Sequence, residues 1–119
     1  MIKLNISYKI TGRDSMNTIY SGVHWNTRKR YVDDLKMELH LLMLSQLRNV
    51  TMFAEPVEIT ITYPPDKLDI DNHAVVTKLI IDCLRGMVIK DDSPKWLRSV
   101  TQRFGEVDEI EVEVGEVCR

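Results

Sequence analysis

The segment Val57-Glu58-Ile59-Thr60-Ile61-Thr62-Tyr63-Pro64-Pro65 constrains the fold of this 119-residue chain more than any other. Apolar and polar residues alternate with period two, the pattern of a strand that buries one face. The two prolines lack an amide donor and end it. Ile2, Leu4, Ile6, Tyr8 and Ile10 alternate in the same way with Lys3, Asn5, Ser7 and Lys9, predicting an earlier strand over 2–10. Residues 96–104 and 109–114 predict two more strands, joined as a hairpin through a turn around Gly105 to Asp108.

Between the strands the period lengthens. Tyr31, Leu35, Leu39 and Leu42, continued by Met43 and Leu47, fall on one helical stripe, so 27–48 reads as a helix capped by Asn26 or Thr27. A second helix over 73–85 follows a cap at Asp71 or Asn72 and closes at Gly86. Residues 11–26 have little periodicity and read as a loop. The order is strand, helix, strand, helix, hairpin. One α+β domain over 1–119, a mixed sheet with two helices, is the expected fold, with strand order left open.

Composition sets the outer limits. An apolar content of 44% supports a core, and the length excludes two separately cored domains. No apolar run approaches the ~18 residues of a membrane-spanning helix, and Met1-Ile2-Lys3-Leu4-Asn5 does not begin like a signal peptide, so a cytoplasmic protein is expected. Cys83 and Cys118 stand far apart, in no CxxC pair, and read as free thiols. The net charge of −2 taken as an average argues against nucleic acid, but it is unevenly placed. Residues 105–119 carry six acids against Arg119 alone, whereas residues 1–104 carry fifteen Lys and Arg against twelve acids.

The chemistry concentrates in the acids that precede the last strand: Asp66, Asp69, Asp71, Asp82, Asp91 and Asp92. Asp69 and Asp71 lie two apart, and in extended backbone both would face one point. Their mutual repulsion is relieved by a cation, and Mg²⁺ or Mn²⁺ takes such hard oxygen ligands. The alternative is that Asp71 caps a helix while Asp69 faces solvent, as in many acidic loops. An EF-hand loop starting at Asp69 is excluded, because Ala74 and Ile80 stand where it needs Gly and Glu. Walker A and GxSxG motifs are absent from the sequence. Lys78 and Asp82, four apart, make either a surface ion pair or a lysine poised for a phosphate. Arg28, Lys29 and Arg30 oppose the dipole at a helix start, where phosphates bind, or form an ordinary solvated basic end. His24-Trp25 either packs beneath that helix or stacks on a nucleic-acid strand. His40 reads as structural, and His73 lacks the second histidine of a ligand pair.

Asp69-Ile70-Asp71-Asn72, Lys78, Asp82-Cys83-Leu84, Gly86 and Asp91-Asp92-Ser93 together resemble the RusA family of Holliday junction resolvases, frequent in phages and prophages. The match is specific over about residues 69–100 and looser over the strand–helix–strand lead-in. The resemblance implies that Asp69, Asp71 and Asp92 hold Mg²⁺, with Mn²⁺ as a substitute, and that Lys78 supports catalysis. It implies a role for Asp82 as a further ligand or support for the lysine, with Asp91 and Asn72 in supporting positions. The implied activity is a metal-dependent endonuclease that resolves four-way DNA junctions by paired nicks in recombination and repair. The implied protein is a homodimer in a bacterial cytoplasm, with no organic cofactor and no membrane. His24, Trp25, Arg28, Lys29 and Arg30 are candidate DNA contacts. The Leu- and Met-rich first helix suits either a core or the dimer interface. One departure stands out: many members place the lysine three residues after the asparagine, whereas Asn72 to Lys78 is six. Three extra residues turn a helix by about 300°, leaving the lysine ~60° from its usual bearing. A branched-DNA-binding protein, or a nuclease for other branched DNA, is the alternative.

Overall fold

A computed structural model describes residues 1–22 and 24–117; Cys118, read above as a free thiol, lies outside them. Four strands, β1 (Ile2–Ile6), β2 (Val57–Tyr63), β3 (Leu97–Phe104) and β4 (Ile110–Glu116), form one mixed sheet in the order β1-β4-β2-β3. Three helices accompany it: α1 (Met16–Tyr20), α2 (Trp25–Leu47) and α3 (Ala74–Leu84). The fold is α+β, as the order of periodicities implies. No helix among the described residues is long and apolar enough to cross a membrane.

Alternation decides the layers. Leu4 and Ile6, Val57, Ile59, Ile61 and Tyr63, and Ile110, Val112 and Val114 are buried on one face of the sheet. Leu35, Leu39, Met43 and Leu47 of α2, with Val76, Leu79, Ile80 and Leu84 of α3, close the core over that face. The opposite face carries Thr60 and Thr62, level with Glu113 and Glu111 of β4. Leu42, expected on the buried stripe, turns outward from α2.

The expected hairpin does not form. β2 lies between β3 and β4, parallel to the first and antiparallel to the second. Burial sorts the strands: β2 is buried almost throughout and takes the centre, whereas Arg98, Ser99, Thr101 and Arg103 make β3 an edge. The chain from β3 to β4 therefore crosses the end of β2, just where Pro64-Pro65 ends the ladder. At the crossing the Gly105 N–H donates to the Tyr63 carbonyl at 3.0 Å. A Cβ there would stand 2.6 Å from Thr62 Cγ2, so the close approach requires glycine.

Three further expectations change at the N-terminal end. β1 stops at Ile6 instead of Ile10, and the 11–26 segment holds a 3-10 turn (Gly12–Asp14) and α1. Buried Asp14 is the cause: its carboxylate accepts from Tyr8 Oη at 2.8 Å, Tyr31 Oη at 2.5 Å and the Thr11 N–H at 2.8 Å. Burial first, and the bond to Asp14 second, hold both tyrosine hydroxyls above the ordinary phenol range. α2 starts at Trp25, with His24 as its cap in place of Asn26 or Thr27; His24 Nδ1 accepts from the Asn26 N–H at 3.2 Å.

Candidate active site

The turn that feeds α3 is wound more tightly than its sequence suggests. Asp69 is extended, but Ile70–His73 form a 3-10 turn that runs into α3. Asp69 and Asp71 are thus not alternate positions of a strand, and the shared facing expected of them does not arise from extended backbone. Both are exposed. Neither Asp71 nor Asn72 caps the helix by its side chain; the residue at the cap of α3 is His73, also without a side-chain bond. Asn72 Oδ1 instead accepts from the Asn17 N–H at 3.2 Å, tying α1 to this turn.

His73 holds the turn in place. Its ring is fully buried, 4.6 Å from the Tyr63 ring and 5.2 Å from that of Phe104. Nε2 lies 2.7 Å from Asp66 Oδ2, and Nδ1 lies 3.0 Å from the Asp69 carbonyl. Both ring nitrogens are engaged, so the residue positions Asp69 through its backbone and has no nitrogen left over for an ion. A second chain of bonds runs beneath α3. The Thr77 hydroxyl donates to Gln102 Oε1 at 2.7 Å, which leaves its oxygen to accept from Tyr63 Oη at 2.7 Å. Gln102 Nε2 donates onward to the Ile70 carbonyl at 3.2 Å. One polar network therefore joins β2, α3, β3 and the acidic turn.

Above this network a groove of about 380 Å³ opens between α3 and β3. Lys78, Asp82 and Asp92 line it, over a floor that includes Thr77, Ile81, Val100 and Gln102. Lys78 Nζ stands 3.3–3.4 Å from the Asp82 carboxylate, and the two side chains are 71% and 14% exposed. The lysine is largely exposed and its acid largely buried. Asp92 Oδ1 lies 3.9 Å from Arg85 Nη1. Asp91 next to it takes a hydrogen bond from the Asp92 backbone and another from the Ser93 side chain, which hold its carboxyl below the usual range.

Family models, curated proteins and solved structures were compared with the chain, and none matches it. The site is therefore judged on its own donors. Asp69, Asp71, Asp82 and Asp92 all offer hard carboxylate oxygens, the chemistry that Mg²⁺ and Mn²⁺ select. Among the described residues no three His, Cys, Asp or Glu side chains are gathered as a metal-holding group. Asp92 and Asp82 share the groove, while Asp69 and Asp71 stand on the turn before it.

The basic start of α2 contributes no lining residue to the groove. Arg28 lies over the Tyr20 ring at 4.8 Å, Lys29 pairs with Asp33 at 2.7 Å, and Arg30 and Trp25 are exposed. Sequence reasoning missed a basic patch in the loop that leads into β3. Lys90 and Lys95 lie 4.3 and 5.1 Å from the Trp96 ring, in the loop that carries Asp91 and Asp92. The signal was present as two lysines flanking one aromatic. Thr77 and Gln102, by contrast, gave no signal, since their partners are 14 and 25 residues away.

Proposed function

We propose that the chain is a metal-dependent, structure-specific DNA endonuclease of RusA type that cuts four-way junctions by paired nicks. The observation that carries this reading is the α3–β3 groove, in which Lys78, Asp82 and Asp92 line one cleft. The placement of charge supports it. Glu111 and Glu113 alternate with buried Val112 and Val114, so the acid-rich last strand faces away from the groove side of the sheet. Lys90 and Lys95 sit over Trp96 in the loop that brings Asp92 to the groove.

Asp92, with Asp69 and Asp71 from the preceding turn, would hold Mg²⁺, or Mn²⁺ in its place, and Asp82 would serve as further ligand or as support for Lys78. When bound, the ion supplies Lewis acidity at the scissile phosphate and a water made nucleophilic at neutral pH. Lys78 swings from its long contact with Asp82 to set its ammonium against the phosphate, where developing charge is greatest. Asp82 returns the lysine to the groove wall between turnovers. Lys90 and Lys95 bind the backbone on either side of the cut. A two-fold junction cut on two strands calls for two copies of the chain, one site each.

The test is cleavage of a labelled mobile four-way junction, a flap and a nicked duplex with Mg²⁺. Wild type nicks the junction, whereas Asp71→Asn and Asp92→Asn bind it in EDTA yet do not cut it. Lys78→Ala slows cutting by about 10²–10³-fold. Binding without nicking by the wild type assigns the chain to the branched-DNA-binding alternative, and preference for the flap assigns it to other branched DNA. Unchanged cutting by Asp71→Asn and Asp92→Asn removes the proposed site.

A further inference from the structure

The two edges of the sheet, β1 and β3, are finished differently. At β1 the edge is closed from α2. Gln46 Nε2 donates to the Asn5 carbonyl at 2.7 Å, and Gln46 Oε1 accepts from the Asn5 N–H at 2.8 Å. One side-chain amide thus supplies the pair of bonds that a neighbouring strand would make. β3 has no such cover. Among the described residues, no side chain or loop bonds to its backbone from Arg98 to Phe104 on the side away from β2. The bonds of Gln102 and Arg103 run from their side chains. After a bulge at Arg98, β3 keeps regular register with β2 from Ser99 to Phe104. Val100, Gln102 and Phe104 stand level with buried Ile59, Ile61 and Tyr63, and so lie on the helix-covered face. Val100 and Phe104 are nonetheless 40% and 39% exposed, because no strand lies on the outer side of β3. An edge guarded against pairing carries a charge at such inward positions, and these three carry none.

Charge describes the strand that would fit. Residues 93–105 hold Lys95, Arg98 and Arg103 and no acid. None of the three is ion-paired among the described residues. We infer that the β3 edge receives a fifth strand from another protein, an extended segment in which apolar residues alternate with acids. The main chain of that segment pairs with the open N–H and C=O groups of β3. Its apolar side chains cover Val100 and Phe104, while its acids lie on the other face with Arg103. A second copy of β3 suits the edge poorly, since pairing β3 with itself brings like charges together. A phosphate backbone answers the cations, but its oxygens only accept and offer nothing to the β3 carbonyls or to the two apolar side chains. Leu97, Val100 and Gln102 also line the α3–β3 groove, so the added strand borders it. The open edge belongs to the fold, and the inference does not rest on what the groove acts on.

Amide hydrogen exchange of the full chain, read by mass spectrometry in EDTA, tests this with two capped peptides, Val-Glu-Val-Glu-Val-Glu and Val-Lys-Val-Lys-Val-Lys. The acidic peptide slows exchange over residues 97–104 saturably and leaves residues 2–6 unchanged; the basic peptide changes neither. Val100→Lys, which sets a charge at an inward edge position, abolishes the protection. Arg98→Glu combined with Arg103→Glu weakens the acidic peptide about tenfold and admits the basic one. Thermal midpoints taken alongside confirm that the variants fold, and if Val100→Lys does not, the charge reversal decides. Three results overturn the proposal: no protection from the acidic peptide at millimolar concentration, equal protection from both peptides, or an unchanged preference after charge reversal. So do protection of 97–104 on raising the protein concentration alone, which assigns the edge to a second copy, and protection by a duplex oligonucleotide in place of the peptide.

Discussion

Thr77 illustrates how single side chains fix this site. It is buried in α3, and its hydroxyl links Tyr63 Oη to Gln102 Oε1 in the network beneath the groove. Replacing it by valine keeps the shape and strands two polar atoms. Thr77→Val therefore costs about 1–3 kcal/mol in urea denaturation, more than its near-isosteric volume suggests. Cys83 is a second case. It is buried with Sγ 3.7 Å from the Lys36 carbonyl, and burial pushes its thiol up to about 11 from 9.0. The native thiol stays protonated at pH 8, so the peptide bearing Cys83 remains unlabelled by iodoacetamide in mass spectrometry until denaturant is added. The sign for stability follows from linkage. Between about pH 9 and pH 11 the unfolded thiol ionises first, and the native state loses stability as pH rises. The polarity of these residues was visible in the sequence. Their partners were not, because contacts between residues 63, 77 and 102 exist only once β2, α3 and β3 have met.

Among the elements, β2 and α2 were the most legible. The run Val57–Tyr63 is a strand with the bounds its alternation predicts, and α2 extends the predicted helix by two residues at its start. β1 was overread, since alternation through Tyr8 and Ile10 persists after Asp14 has drawn the chain out of the sheet. The β3–β4 pairing was misread for a different reason. A short polar connection is the usual sign of a hairpin, but period two reports which face a residue occupies and says nothing about which strand lies beside it. The crossing over β2 that results makes Gly105 critical. Thr62 cannot readily turn away, because its Oγ1 accepts from Arg103 Nε at 3.0 Å. Gly105→Ala is expected to lower stability by about 1–3 kcal/mol, read as a shift in thermal midpoint, whereas alanine at Gly12, where a Cβ meets open space, has little effect.

Across the whole molecule the formal charge of −2 separates into two surfaces. Glu111 and Glu113 lie on the open side of the sheet, where Lys3 stands 3.1 Å from Glu111, while Lys78 lines the groove on the helix side. If branched DNA occupies the groove, charge changes on the two faces have unequal effects. Lys90→Ala and Lys95→Ala each reduce the slope of log affinity against log salt by about 1. Glu111→Gln with Glu113→Gln leaves that slope unchanged and alters affinity far less. Equal effects from both faces would place the DNA elsewhere.

The candidate site was partly legible for the same reason as the fold. Lys78 and Asp82 share a groove wall because helical spacing alone puts residues four apart on one face. Asp92 joins them there through tertiary structure, as α3 and β3 converge from either side of the loop that bears it. Asp69 and Asp71 went differently, since whether residues two apart face one point depends on local winding, and the buried ring of His73 fixes that winding as a 3-10 turn. By itself the sequence determined the α+β class, the strand over 57–63, both long helices and the residues with chemistry to offer, because these follow from local periodicity and side-chain type. The strand order, the crossing at Gly105, the network under Thr77 and the neighbours of each acid were decided by the tertiary structure alone, because they depend on which buried surfaces compete successfully for one core.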